Sequence, residues 1–283
     1  MEILEERVNQ LTTARNKVEN REYLTLNEVK ILAPSVGTTK PLDGLSKHYV
    51  HVPTTTVIED IQKLGWQPVN VQEVKARKRK GYQKHLITFE HPDYRKGEEG
   101  EVDSEHPQLL LMNSHDGTSK FQLEAGIFRL VCSNGMVIKS EDMGSVSIRH
   151  MGYDFKIIKE AVDNLMEKVP LILNKIDKMK ETELTEEEII EFAKKAAKLR
   201  FQDLNEKTKI EEIVDIDELL EVKRKEDKGN KLYEVFNRVQ EKIINGTFQY
   251  KLGEKARKAR PIKNFKQNIQ VNQDMWELAE GLI

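Results

Sequence analysis

The sequence predicts an α+β fold: an antiparallel sheet with a packed helix in the N-terminal half, followed by a helical C-terminal half. Three observations predict it. Between residues 66 and 138, short apolar runs alternate with polar residues at period two and are parted by Gly, Asn and Asp turn signals, which is how half-buried strands read. From residue 154 onward the apolar positions recur at helical spacing. The 33% charged and 6% aromatic composition fits a helix-rich, water-facing chain, and 283 residues suffice for one large core or two smaller ones.

In order along the chain, residues 1–45 read as an N-terminal arm. "TTARNKVENREYLTLNEVKILA" is helical in pieces, and "PSVGTTKPLDG" is a connection rich in turn formers. Residues 46–152 read as the sheet-containing core. Its helix places Val57, Ile61 and Leu64 on one face, with a threonine of Thr54-Thr55-Thr56 as N-cap and Gly65 as terminator. "WQPVNVQEVKARKRK" alternates as a strand through its basic end. Gly81 turns the hairpin, and "YQKHLITFEH" returns as its partner. A charged loop (92–107), a strand "QLLLMNS", an Asp116-Gly117 turn and a long strand "KFQLEAGIFRLVCSNGMVI" with a bulge at Gly126 complete the sheet.

Residues 153–283 read as helical and packed on the core. Phe155, Ile158, Ala161, Val162, Leu165 and Val169 define an amphipathic helix that Pro170 kinks or splits. Thr185 and Glu188 form a capping box for the next. "KIEEIVDIDELLEVKR" and "KLYEVFNRVQEKIING" are two more, the second ended by Gly246, and "NQDMWELAEGLI" is a short terminal helix.

Charge directs the functional reading. Residues 75–85 carry six Lys/Arg and no acid, and residues 251–266 carry seven Lys/Arg and one Glu. Acidic blocks lie between them at 181–191 and 211–221. On an extended hairpin, Lys75, Arg77 and Arg79 share one face, while Lys78, Lys80 and Tyr82 take the other. Such a ribbon would neutralise successive phosphates by counterion release, with Tyr82 or His85 stacking on an unpaired base. Lys84, Lys120, Arg129 and Asn134 extend the candidate set toward the turn and the long strand. Arg257, Lys258 and Arg260 lie before Pro261, on a segment that either rests on nucleic acid as an arm or pairs with the acidic blocks. The alternative reading of a lysine-rich strand edge is protection against edge-to-edge association.

Reaction chemistry finds less support. Cys132, the single cysteine, follows an apolar β-type run where a small buried hydrophobe is the ordinary occupant, although His115 or His150 would be the base if it were a nucleophile. Ser133 lies in "CSNG", outside any nucleophile elbow. His115 and Asp116 fall short of a metal site, and no phosphate-binding glycine loop occurs, so neither metal nor cofactor is expected. Asn237, Arg238 and Gln240 form the polar remainder of an amphipathic helix and would be a second contact cluster if they faced a groove. No apolar run reaches membrane-spanning length and the first residues are acidic, so a cytoplasmic protein without membrane association is expected.

Three stretches carry a family resemblance: "HDGTSKFQLEAGIFRLVCSNGMVI", "LYEVFNRVQEKIINGTF" and "NQDMWELAEGL". They resemble the phage- and plasmid-encoded family catalogued as domain of unknown function 932, over roughly Thr54 to the C-terminus. That likeness implies a mobile-element protein without assigning a chemistry. The order helix, "GW", strand, basic turn, strand, charged loop, strand also resembles the core of RecT/Redβ-like single-strand annealing proteins. Together these readings give the expectation of a non-enzymatic single-stranded DNA-binding protein, acting in recombination by strand annealing as a homo-oligomer. The alternative is an interaction protein that binds a host factor through its acidic helices to counter defence.

Overall fold

In the computed structural model, residues 2–94, 105–119, 121–129, 135–137, 146–148, 154–201, 209–253 and 255–283 are described. Helices α1 (Glu2–Glu19), α2 (Leu26–Leu32) and α3 (Thr54–Lys63) precede strands β1 (Gln67–Glu73), β2 (His85–Glu90), β3 (Glu105–Asn113), β4 (Phe121–Arg129), β5 (Gly135–Val137) and β6 (Val146–Ile148). Then come α4 (Phe155–Glu181), α5 (Glu186–Arg200), α6 (Ile216–Leu220), α7 (Leu232–Asn245), the strands β7 (Gln249–Leu252) and β8 (Lys255–Lys258), and α8 (Phe265–Glu280). The fold is α+β.

Contacts divide the chain into two compact units. The first draws on Met1–Lys96, His106–Gly126 and Met143–Glu167, the second on Gly97–Glu105, Ile127–Asp142 and Lys168–Ile283.

The large sheet runs in the order β1-β2-β3-β4-β5, with β6 also on β4. β1 and β3 both pair antiparallel with β2, so His85 stands between Glu73 and Asn113, and Glu90 between Gln67 and Gln108. Alternation sends His85, Ile87 and Phe89 to one face, where they are fully buried. The buried Val57, Ile58 and Ile61 fall on one side of α3, at the spacing that gives a helix its apolar stripe. The N-terminal residues add Ala14, Leu24 and Val29 to this unit's interior, and the Leu24 N–H bonds the Pro68 carbonyl at 2.7 Å. α2 starts at a capping box of Thr25 and Glu28.

The second unit is built on α5, α7 and α8. Leu232, Val235, Phe236, Val239 and Ile243 line one face of α7 and are wholly buried. Phe236 meets Phe192 of α5 at 6.2 Å and the edge of Trp276 of α8 at 6.4 Å between ring centroids, within the range of favourable aromatic pairs. Truncating Phe236 to Ala would cost about 3–5 kcal/mol.

Several expectations are corrected here. α3 begins at Thr54 itself with Pro53 as N-cap, and no threonine side chain caps it. Of the two outcomes expected at Pro170, the split does not occur: α4 is one helix from Phe155 to Glu181 with the proline inside it. The acidic stretch 209–224 is no single helix but a 3-10 turn at Ile210–Glu212 and the five residues of α6, parted where the Ile213 carbonyl and Val214 are drawn into pairing with Lys251 and Tyr250. The terminal helix starts at Phe265, capped by Asn264, well before residue 272. Most important for function, β1 ends at Glu73, so the basic residues 75–84 form a loop, whereas the second basic segment forms the β7–β8 hairpin.

Candidate nucleic-acid interface

The first basic segment is a closed loop. The Val74 N–H donates to the Lys84 carbonyl at 2.9 Å across its neck. Arg79 and Gly81 adopt left-handed φ values of 60° and 88°, which breaks the alternation on which two cationic faces depended. The Thr38 hydroxyl donates to the Gly81 carbonyl, and the His115 N–H to that of Tyr82 at 3.2 Å, so the loop is held to two neighbouring turns. Lys75, Arg77, Lys78, Arg79 and Lys80 are exposed, and Tyr82 and Lys84 half-buried. Arg79 lies 3.6 Å from Asp116. Burial alone would raise the Asp116 carboxyl, but the Thr118 hydroxyl and amide, Ser114 and the Arg79 charge hold it below its ordinary value.

At the foot of this loop is a buried polar network. His85 Nδ1 lies 2.8 Å from the Ser35 hydroxyl, and its Nε2 2.9 Å from the Thr54 hydroxyl, which is also 3.1 Å from His115 Nε2. Asn113 donates to the same Thr54 oxygen at 3.0 Å. His85 and His115 have no exposed surface, so neither stacks on a base nor serves a substrate; the expectation for His85 is corrected by its burial. Burial pushes the His85 imidazole down to about 4. Among the described residues no group of three or more His, Cys, Asp or Glu side chains is placed to hold a metal ion.

The second basic segment makes a different surface. β7 and β8 pair antiparallel with Tyr250 opposite Arg257 and Leu252 opposite Lys255, so these four share one face of the ribbon. β7 is fixed at its outer edge: Lys251 N–H donates to the Ile213 carbonyl at 2.7 Å and Gln249 N–H to Glu218 at 2.8 Å. Every residue of β8 is exposed. Beside the ribbon a cleft of about 830 Å³ is lined by Arg200, Arg257, Lys258, Arg260 and Lys263 together with Phe201 and Tyr250, without a carboxylate among its described residues. The Phe201 and Tyr250 rings are 5.2 Å apart, and Phe201 rests edge-on against the buried Phe248 at 6.5 Å.

Arg200 is committed to the fold. Its guanidinium donates to the carbonyls of Ile243 and Arg260 and lies 5.5 Å over Phe248. Lys255, Arg257, Lys258 and Lys263 enter no ion pair among the described residues. The acidic block spends carboxylates elsewhere: Glu211 pairs with Lys194 at 3.4 Å and Glu221 with the buried Lys242 at 2.6 Å. Glu211, Glu212, Asp215, Asp217, Glu218 and Glu221 instead line a second cleft of about 950 Å³, which Tyr250 also lines, so that this ring borders both clefts.

Other expected residues separate from these surfaces. Asn237, Arg238 and Gln240 are buried, with Asn237 on the Tyr233 carbonyl, Arg238 on the carbonyls of Asp227 and Gly229, and Gln240 on Asn272, so they hold α7 in place. Lys120, Cys132, Ser133, Asn134 and His150 lie outside the described residues, and Arg129 enters as the last residue of β4. Phe201, Tyr250 and Lys263 were missed in the sequence. The signal for Tyr250 was present: Phe248, Tyr250 and Leu252 alternate up to Gly253 before a second run, a hairpin pattern hidden under basic composition.

The family model described as Domain of unknown function (DUF932) matches residues 41–276. The chain is similar to two proteins of Escherichia coli (strain K12), UPF0380 protein YafZ and UPF0380 protein YfjQ. Each is 27% identical over 277 residues, covering 95% of this chain and 95% of its own. No solved structure matches the chain. Among the described residues no helix is long and apolar enough to cross a membrane.

Proposed function

The chain belongs to the DUF932 family, and on that footing we propose that it is a non-enzymatic protein that binds single-stranded DNA on the cationic side of the β7–β8 ribbon. One observation carries the reading: besides the fold-bound Arg200, four cations and two aromatic rings line one cleft that has no carboxylate among its described residues. Cations that no carboxylate neutralises are available to phosphate, and each phosphate they engage releases condensed counterions. Such binding is indifferent to sequence and sensitive to salt. The carboxylate-lined cleft that adjoins it at Tyr250 repels the same polyanion, which favours a strand lying toward the cations. The exposed loop 75–80 supplies further positive charge. Holding strands extended with their base edges free, in an oligomer, is what annealing requires, and no bond is made or broken. A cytoplasmic protein of a phage or plasmid is the setting in which we place this activity.

Fluorescence anisotropy with labelled oligonucleotides across a salt series tests the proposal. Engagement of about four phosphates gives a log–log slope of about −3 for single strands, so affinity falls on the order of fifty-fold between about 50 and about 200 mM salt. Absence of oligonucleotide binding at the lower salt would remove the reading.

The acidic cleft of about 950 Å³ favours one second reading, an interaction protein that receives a basic segment of a host factor there. A nuclease-treated pull-down with Asp217 and Glu218 replaced by Asn and Gln, compared with the unaltered protein, separates it from the first: loss of a captured partner supports it, and an unchanged capture does not.

A further inference from the structure

We infer that the cleft between the end of α5 and the 257–263 segment is the seat of one unpaired base, with Tyr250 as its stacking surface. The inference rests on the nucleic-acid reading and deepens it, because it assigns single-strand preference to one side chain.

Three features carry it. First, Tyr250 is half-buried and lines the cationic cleft at its border with the carboxylate-lined one, so a base can reach it from the side of the cations. Second, the ring is braced. Phe201 lies against it at 5.2 Å and stands on Phe248, which has 1% exposure, so a base laid on Tyr250 meets a surface already held in place. Pre-ordered aromatic surface avoids an ordering cost on binding. Third, cations frame that ring. Arg257 is the direct cross-strand partner of Tyr250, and Lys258 and Lys263 line the same cleft. A base laid on the ring from this cleft therefore has its flanking phosphates beside these cations. In a duplex the base faces are covered by neighbouring pairs, so this seat admits unpaired bases only. Arg200 takes no phosphate in this account, since backbone carbonyls hold its guanidinium.

The test uses the full chain and three probes: an oligomer of about 12 thymidines, a matched duplex, and an abasic strand of the same length. Tyr250→Leu keeps an apolar side chain on β7 and removes the ring. It is expected to weaken thymidine-oligomer binding about tenfold, to leave the abasic strand unaffected and to keep the salt slope. Tyr250→Trp restores the preference. Arg257→Gln with Lys263→Gln instead lowers the slope for all three probes. A second measurement needs no variant: ultraviolet crosslinking of a bromouridine-bearing strand to the unaltered protein, mapped by peptide mass, is expected to mark Tyr250 or Phe201. Tyr250→Leu with an unchanged ratio of thymidine to abasic affinity, or adducts that map only away from this cleft, would overturn the base seat and leave salt-dependent binding standing. An unaltered protein that binds none of the probes overturns both.

Discussion

Thr54 Oγ1 lies 2.9 Å from Nε2 of His85, so the first residue of α3 holds the first residue of β2 through a fully buried contact. With the Ser35 hydroxyl 2.8 Å from Nδ1, both ring nitrogens are occupied in the neutral state. Burial depresses the His85 imidazole from 6.5 to about 4. Above pH 6.5 the folded and unfolded chains are both neutral there, and this residue gives no pH dependence. Between pH 6.5 and 4 only the unfolded chain takes the proton, so stability falls with pH, by roughly 3 kcal/mol at the lower limit. Urea unfolding of wild type and His85→Gln at pH 7 and pH 4.5 checks this: the variant is expected to be less stable at pH 7 and to lose less on acidification.

Arg21 and Glu90 predict an acid response in the same direction at lower pH. Arg21 follows α1 in the left-handed region at φ 58° and places its guanidinium on the buried Glu90 carboxylate. Burial by itself would raise Glu90. The His106 hydrogen bond, the Arg21 and His106 charges and the Gln108 amide outweigh it and hold the group at about 2. A depressed carboxyl adds stability above its ordinary pKa of 4.5, and that stability is lost as pH falls toward 2. Arg21→Ala leaves a buried carboxylate short of compensation and is expected to cost about 3–5 kcal/mol at pH 7. Denaturant titrations measure it, and a loss below about 1 kcal/mol would show that His106 and Gln108 suffice.

Gly246 fixes the approach of the C-terminal basic segment to α7. Its φ is 63°, and a Cβ added there would stand 2.4 Å from the backbone carbonyl of Arg260. The Gly246 N–H caps α7 on the Lys242 carbonyl at 2.9 Å, and the Ile262 N–H reaches the Ile244 carbonyl at 2.9 Å. Gly246→Ala is therefore expected to cost more than the roughly 1–2 kcal/mol of a left-handed residue, because backbone has to move. Thermal unfolding reads the loss. Hydrogen exchange at Ile262 is expected to quicken more than at core amides of α7.

These residues also show what was legible in the sequence. Gly246 and the Thr185–Glu188 capping box announced their helix ends because a cap is local chemistry, set by residues a turn apart. The face of α7 was legible for the same reason. The end of β1 was not. "VQEVKARKRK" holds no turn former before Gly81, and charged residues suit a solvated strand and a loop equally. The strand stops where Glu73 meets the last cross-strand partner, His85. The acidic stretch 209–224 was misleading because Ile213 and Val214 give their backbone to β7, a long-range pairing that local spacing does not encode. His85 looked like an accessible ring beside a basic run. Its burial depends on Ser35 and Thr54, 50 and 31 residues away in sequence.

Two basic segments of similar composition now differ in geometry, and that difference makes the last prediction. The loop carries exposed Lys75, Arg77, Lys78 and Lys80, but it turns back on itself at Arg79 and Gly81. The ribbon carries Lys255 and Arg257 on one face, two residues apart on β8, a spacing of about 6–7 Å that is close to the distance between successive phosphates of an extended single strand. Replacing Lys255, Arg257, Lys258 and Lys263 by Gln is expected to reduce the salt slope of single-strand binding by about 3, since each removed contact subtracts about 0.7. Replacing Lys75, Arg77, Lys78 and Lys80 by Gln is expected to change it by only about 1, because charges on a curved loop approach one or two phosphates at a time, about 0.7 each. Anisotropy titrations of the two variants in parallel decide between them. A larger loss for the loop variant would move the principal contact to the first unit and leave the ribbon as auxiliary charge.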